Sequence, residues 1–377
     1  MSGGQNAAKN VAIGNNTLQV LQPGSNTDTY NVAIGYNAGI VMTTGIENTI
    51  IGGLAGDAFT TGISNTAIGF RALSTEDGHS YNTAIGAEAL FTQNAGANAY
   101  NVALGYAAGT AVTTGVENTI MGSNAGDALT SGSYNVAIGM HALGGEDAHG
   151  RNVAIGNEAL RAQNAGADAY NVAVGYYAGT AVSTGTYNVL IGGLAGDALT
   201  TGAENVAIGH EALSTEDGHG TNVAVGYRSL KVLNAGTNAY NTAVGHNTGT
   251  AMTTGAENTI MGGLAGDALT TGSYNVALGF ASLTSEDGHG RNIAIGYKAL
   301  YDLNAGADAY NVAIGFAAGE NVSTGTLNTL IGGLAGDALT TGVNNVAIGH
   351  QALSAEDGHG YNVAVGTYAL AVQNAGA

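Results

Sequence analysis

The sequence has no cysteine, no tryptophan, a single proline (Pro23), and charged residues at only 9% of its 377 positions. Without cysteine there is neither a disulfide framework nor a thiolate metal site, so burial and backbone pairing must hold any fold together. Eight Lys and Arg against 27 Asp and Glu leave a net charge of −19. That balance repels phosphate backbones and provides no basic stripe, which excludes nucleic acid as a partner. No apolar run reaches the length of a membrane span, so no membrane insertion is expected. Residues 1–5 lack the basic and apolar regions of a secretion signal. Phosphate-cradling loops and paired His ligands at helical spacing are also missing, and no residue breaks the pattern in one place as an active site does. The expectation is a non-enzymatic protein.

What is present is repetition. Glycine occurs 63 times and apolar residues make up 45% of the chain. A pentad of Asn, a β-branched residue, a small or aliphatic residue, an aliphatic residue and Gly occurs 21 times, first at Asn10 and last at Asn362. Its first full set begins at Asn31, Asn48, Asn65 and Asn82 and closes at Gly35, Gly52, Gly69 and Gly86. After the first copy the spacing cycles as 17, 17, 17 and 19, a 70-residue super-repeat of four units. The divisions are a lead-in at 1–9, a first coil at 10–30, and super-repeats at 31–100, 101–170, 171–240, 241–310 and 311–377, the last slightly truncated.

The second pentad residue is Val, Thr or Ile in all 21 copies, which favours a strand. Residues two and four, such as Val32 and Ile34, share a face and are expected to point inward. The third residue is Ala in sixteen copies and Ile or Leu in the others. That opposite face is then small and apolar rather than polar, which predicts a cover on the outside as well. The invariant Gly permits a positive φ or a close backbone approach at the strand end. The eighth residue is Ala, Ser or Thr, and the ninth alternates by pairs, as Gly39, Gly56, Leu73 and Leu90. Segments such as Thr43-Thr44-Gly45 and Asp77-Gly78 supply turns.

Two buried aliphatics contribute roughly 3 to 6 kcal/mol, whereas ordering a 17-residue unit costs roughly 17 to 34 kcal/mol in backbone entropy. No unit folds alone, so the units must stack as a parallel β-solenoid (β-roll) of 21 coils of 17–19 residues, all-β, a rod of roughly 100 Å. In-register Asn residues would form a hydrogen-bonded ladder at one corner. An α-solenoid is excluded because no 3.6-residue period is sustained, and the tenth positions (Ile40, Asp57, Ser74, Phe91) do not keep the aliphatic six-residue beat of a hexapeptide β-helix.

The string Asn31-Val32-Ala33-Ile34-Gly35-x-x-Ala38 and its siblings resemble the coils of trimeric autotransporter adhesin heads and the similar repeats of phage tail fibres. The resemblance runs from about Asn10 to the end. It implies a homotrimer of left-handed β-rolls around a common axis, at the cell exterior or virion surface, with a cell-surface glycan or receptor as a further partner. Coils of 17 and 19 residues are longer than those of adhesin heads, which implies longer external loops. The absent secretion signal, coiled-coil stalk and anchor favour the phage-fibre version. The expected function is a structural or adhesive fibre shaft. The alternative is a self-assembling extracellular filament of cellular origin, suggested by Gln5-Asn6-Ala7-Ala8 and Gln373-Asn374-Ala375-Gly376, which both echo the joint Gln93-Asn94-Ala95-Gly96 and would allow end-to-end stacking.

One acidic loop recurs in each super-repeat: Glu76, Asp77 and His79; Glu146, Asp147 and His149; Glu216, Asp217 and His219; Glu286, Asp287 and His289; Glu356, Asp357 and His359. Hydrated carboxylates with an imidazole would suit Ca²⁺ better than Zn²⁺, while the plainer reading is a solvated turn. No other cofactor is implied. Asp57, Asp127, Asp197, Asp267 and Asp337 are expected to bond backbone amides nearby. Tyr30, Tyr100, Tyr170, Tyr240 and Tyr310 are expected to cover a strand edge or to stack sugars. An ice-binding face would need an uninterrupted threonine array, and the second position mixes Thr with Val.

Overall fold

The computed structural model describes residues 9–24 and 27–373. Most of the 1–9 lead-in, with Gln5-Asn6-Ala7-Ala8 and Asn374-Ala375-Gly376, lies outside the described residues. Among the described residues the chain is all-β: 21 strands of three residues each and no helix, wound as a parallel β-solenoid. It divides into two compact units, Met1–Tyr187 and Asn188–Ala377. The first holds ten strands, from β1 (Val11–Ile13) and β2 (Val32–Ile34) through β3 (Thr49–Ile51) to β10 (Val172–Val174). The second begins at β11 (Val189–Ile191) and ends at β21 (Val363–Val365). Within each unit, consecutive strands pair in parallel with like positions opposed. Val32, Ala33 and Ile34 face Thr49, Ile50 and Ile51, and Thr329, Leu330 and Ile331 face Val346, Ala347 and Ile348.

The strands stop after three residues because the pentad glycine turns the chain. Gly35 has φ of 140°, and a Cβ there would lie 2.4 Å from the carbonyl oxygen of Gly52 on the next coil. Only glycine permits both the angle and the approach. The corner then continues through left-handed residues, such as Asn37 (φ 56°) and Gly39 (φ 56°) in one coil and Arg71 (φ 57°) and Leu73 (φ 49°) in another. A left-handed Leu costs roughly 1–2 kcal/mol, which burial of its side chain, at about 1.5–3 kcal/mol, offsets; Leu73 and Leu90 are fully buried.

The strand faces are the reverse of the sequence expectation. The third pentad residue is the inward one: Ala33, Ile50, Ala67 and Ala84 are fully buried, whereas Val32 and Ile34 are half-exposed. The reason is the Asn at position one, which shares a face with position three. Asn48 donates its amide N–H to Asn31 Oδ1 at 2.9 Å and its Nδ2 to Gly62 O at 2.8 Å. Asn65 and Asn205 repeat the first bond with the Asn one coil before, at 2.9 and 3.0 Å. The ladder crosses the inside of the coil, so the Ala column must be inside with it. The interior is narrow, and its contents are matched in size. A Cβ on Gly109 would lie 2.9 Å from Ile120 Cδ1 and 3.0 Å from Leu90 Cδ2, so each glycine-walled coil receives large side chains from its neighbours. The twelfth position completes the filling with Met42 and Phe59, both fully buried.

Candidate functional site

The acidic loops begin inside this core. Glu76 lies eleven residues after Asn65, as Phe59 does after Asn48, and so occupies the same interior slot. Glu76, Glu146, Glu216, Glu286 and Glu356 are all fully buried, while the Asp that follows each is exposed and the His half-exposed. One ligand atom from each residue of a loop lies within 4.8 Å of the other two. The structure thus brings each sequence-predicted triad together.

The geometry is that of a braced turn. Oε1 of Glu76 accepts the backbone N–H of His79 at 2.9 Å, and His79 Nδ1 lies 2.9 Å from the same oxygen. Glu146, Glu216, Glu286 and Glu356 accept the corresponding His amides at 3.0, 3.2, 3.1 and 3.0 Å. The preceding coil fastens the loop from outside, since Thr60 Oγ1 donates to Asp77 O at 2.6 Å and Thr130 Oγ1 to Asp147 O at 2.7 Å. Burial leaves Glu76 Oε2 and Glu146 Oε2 without a hydrogen-bond partner. It also pushes the carboxyls of Glu146, Glu216 and Glu286 above the ordinary range. Each loop offers two carboxylates and one imidazole, well short of the six to eight oxygens Ca²⁺ takes. The carboxylate oxygen nearest the imidazole is already used by the His amide.

The Asp column differs from its expectation in part. Asp57 Oδ1 accepts the Ser74 hydroxyl on the next coil, and Asp127 Oδ2 accepts Asn124 Nδ2 at 3.3 Å, so both bond side chains. Asp197, Asp267 and Asp337 each leave Oδ1 buried without a hydrogen-bond partner, and burial raises their carboxyls.

The larger surface feature is one the sequence reading placed on the wrong side. With Ala inside, the residues at positions two and four point outward and form a largely apolar face on each unit, with Thr in place of Val at Thr49, Thr66, Thr83 and Thr119 in the first. Two columns border it: the residue before each ladder Asn and the residue after each pentad Gly. In the first, Tyr81 stacks on Tyr100 (centroids 5.1 Å, planes 4° apart) and Tyr170 on Tyr187 at 5.4 Å. The guanidinium of Arg151 sits 5.5 Å from the rings of both Tyr134 and Tyr170. In the second, Tyr297 lies between Phe280 and Phe316 at 5.8 and 5.2 Å. Tyr30, Tyr100, Tyr170, Tyr240 and Tyr310 therefore border this face, all exposed. The second column, with Tyr36, Phe70 and Tyr106, was missed. Its signal was available: an aromatic directly after the pentad glycine, in step with the outward positions.

No protein-family model matches the chain, and no curated protein matches it.

Proposed function

We propose that the chain is a non-enzymatic structural or adhesive fibre shaft of phage tail-fibre type, assembled as a homotrimer through its outward face of Val, Thr and aliphatic side chains and displayed outside the cell or on a virion. The observation that carries this reading is the face itself. Across the first unit it spans ten three-residue strands at about 4.8 Å each and about 10 Å along each strand, or roughly 480 Å² before the bordering columns are added. A standard protein–protein interface buries about 800 Å² per partner, so the strands would supply its centre and the bordering columns of aromatic residues the remainder. The largest apolar patch on a soluble monomer is about 300–600 Å² and often marks an interaction site. Depletion of charge at its centre, with aromatic residues at its margins, matches the composition of interface cores and rims.

The acidic loops fit the same reading as braced, solvated turns, and their regular recurrence argues for structure over catalysis. A cell-surface glycan or receptor is the partner expected of an adhesive shaft. The test is solution mass by light scattering with negative-stain imaging. Three copies per particle support the reading, and a monomer at all concentrations would end it. Filaments that lengthen with concentration would favour the self-assembling filament instead.

A further inference from the structure

One cluster on the first bordering column recurs in alternate super-repeats. Arg151 lies between the rings of Tyr134 and Tyr170, with its Nε 2.9 Å from Asp168 Oδ2 and its Nη1 donating to the Tyr170 hydroxyl at 3.0 Å. Arg291 repeats this between Tyr274 and Tyr310, with Asp308 Oδ2 at 3.0 Å. The first coil pairs Lys9 with Asp28 in the same way, at 2.7 Å. Super-repeats 31–100 and 171–240 instead place Tyr81 with Asn98 and Thr221 with Asn238 at these positions. The basic residue and the Asp therefore come and go together.

The fold of one copy does not need that pair. Asp168 Oδ1 accepts the amide of Gly150 at 3.0 Å and so fixes the longer loop of its coil. Asn238 Oδ1 accepts the amide of Gly220 at 3.0 Å and does the same without a charge. Thr221 has φ of 64°, as Arg151 and Arg291 do, so the backbone does not select Arg either. The second carboxylate oxygen and the guanidinium are surplus to the coil. They stand at a shallow cleft of about 310 Å³ lined by Tyr134 and Arg151, at the small end of the range for ligand sites, about 300–1,000 Å³. The column lies at the margin of the association face, where an interface rim stays open to solvent.

Nη2 of Arg151 makes neither of these bonds and keeps its donors, beside a carboxylate that accepts. A hydroxylated ring both donates and accepts, and its C–H face suits the Tyr134 ring, which is half-exposed. An anion gains little here, because Asp168 already balances Arg151 and the chain carries a net charge of −19. We propose that each of the two clusters, Tyr134 with Arg151 and Asp168 and Tyr274 with Arg291 and Asp308, binds one ring of a neutral pyranose sugar. This rests on the adhesive part of the reading above and names its ligand class.

The chain supplies its own control. Arg151→Thr with Asp168→Asn, and Arg291→Thr with Asp308→Asn, rewrite both clusters as the native pair Thr221 and Asn238. Saturation-transfer NMR on the full chain would use methyl α-mannoside, methyl β-galactoside and N-acetylglucosamine, with N-acetylneuraminate as the anionic comparison. We expect transfer to the ring protons of at least one neutral sugar, lost in the fourfold variant while the assembled mass is kept. No transfer to any neutral sugar, equal transfer from wild type and variant, or stronger transfer to N-acetylneuraminate overturns the site. If the particles still have assembled mass, the shaft stands. A fall in mass in the variant alone would make the cluster a contact between copies, which also overturns the site. Wild-type monomers that bind a neutral sugar, and lose it in the variant, keep the site and end the trimer.

Discussion

Glycine at the fifth pentad position meets two demands at once. At Gly52 the backbone has φ of 138°, and a Cβ would lie 2.4 Å from the carbonyl oxygen of Gly69. The variant Gly52→Ala must either open the coil stack or leave the left-handed region, and we expect it to lose roughly 2–4 kcal/mol in a denaturant melt. Gly53→Ala, one residue on, meets only the Phe70 ring at 3.7 Å and should cost no more than about 0.5 kcal/mol. Equal losses would show that coil contact at the glycine column is not what fixes the corner. This requirement was legible in the sequence because the glycine stands in all 21 copies. The direction of the strand was not, because Val-Ala-Ile is apolar on both sides and gives no alternation to read. The clue was the Asn two positions before the Ala, whose ladder can form only if both point inward.

At the scale of the loop, burial of glutamate has a consequence for pH. Glu146, Glu216 and Glu286 are held above the ordinary value of 4.5, chiefly by desolvation. A carboxyl raised in the folded state binds its proton more tightly there than in the unfolded chain. Its contribution is complete below the unfolded value and is lost as pH rises through the folded one. Stability should therefore fall from mildly acidic toward neutral pH. The triple variant Glu146→Gln, Glu216→Gln and Glu286→Gln should flatten that slope and melt higher than wild type at pH 7. Asp197, Asp267 and Asp337, raised in the same direction, leave a residual slope of the same sign. Parallel melting curves for wild type and variant across pH 4.5–8 would refute the assignment. The acidic motif was visible in the sequence, but its burial was not, because a Glu-Asp-Gly-His string reads locally as a solvated turn. Counting from the ladder Asn to the slot that Phe59 fills would have placed the Glu inside.

For the molecule as a whole, the association proposed through the outward face can be tested at a single side chain. Ile155, on β9 (Val153–Ile155), is half-exposed and outside the coil interior. Ile155→Lys should leave the strand signal in circular dichroism intact while lowering the mass toward a single copy, because association would have to desolvate an unpaired cation. Unchanged mass would move the interface elsewhere. The pairing of like positions on consecutive strands of one chain has a genetic consequence too. Each coil within a unit meets the next through the same Asn bond and the same glycine contact, and the interior filling repeats every four coils, so a tandem duplication or deletion of a whole set of four would leave every junction of a familiar kind. Unequal crossing-over between such similar stretches of coding sequence could lengthen or shorten the protein without inventing a new contact.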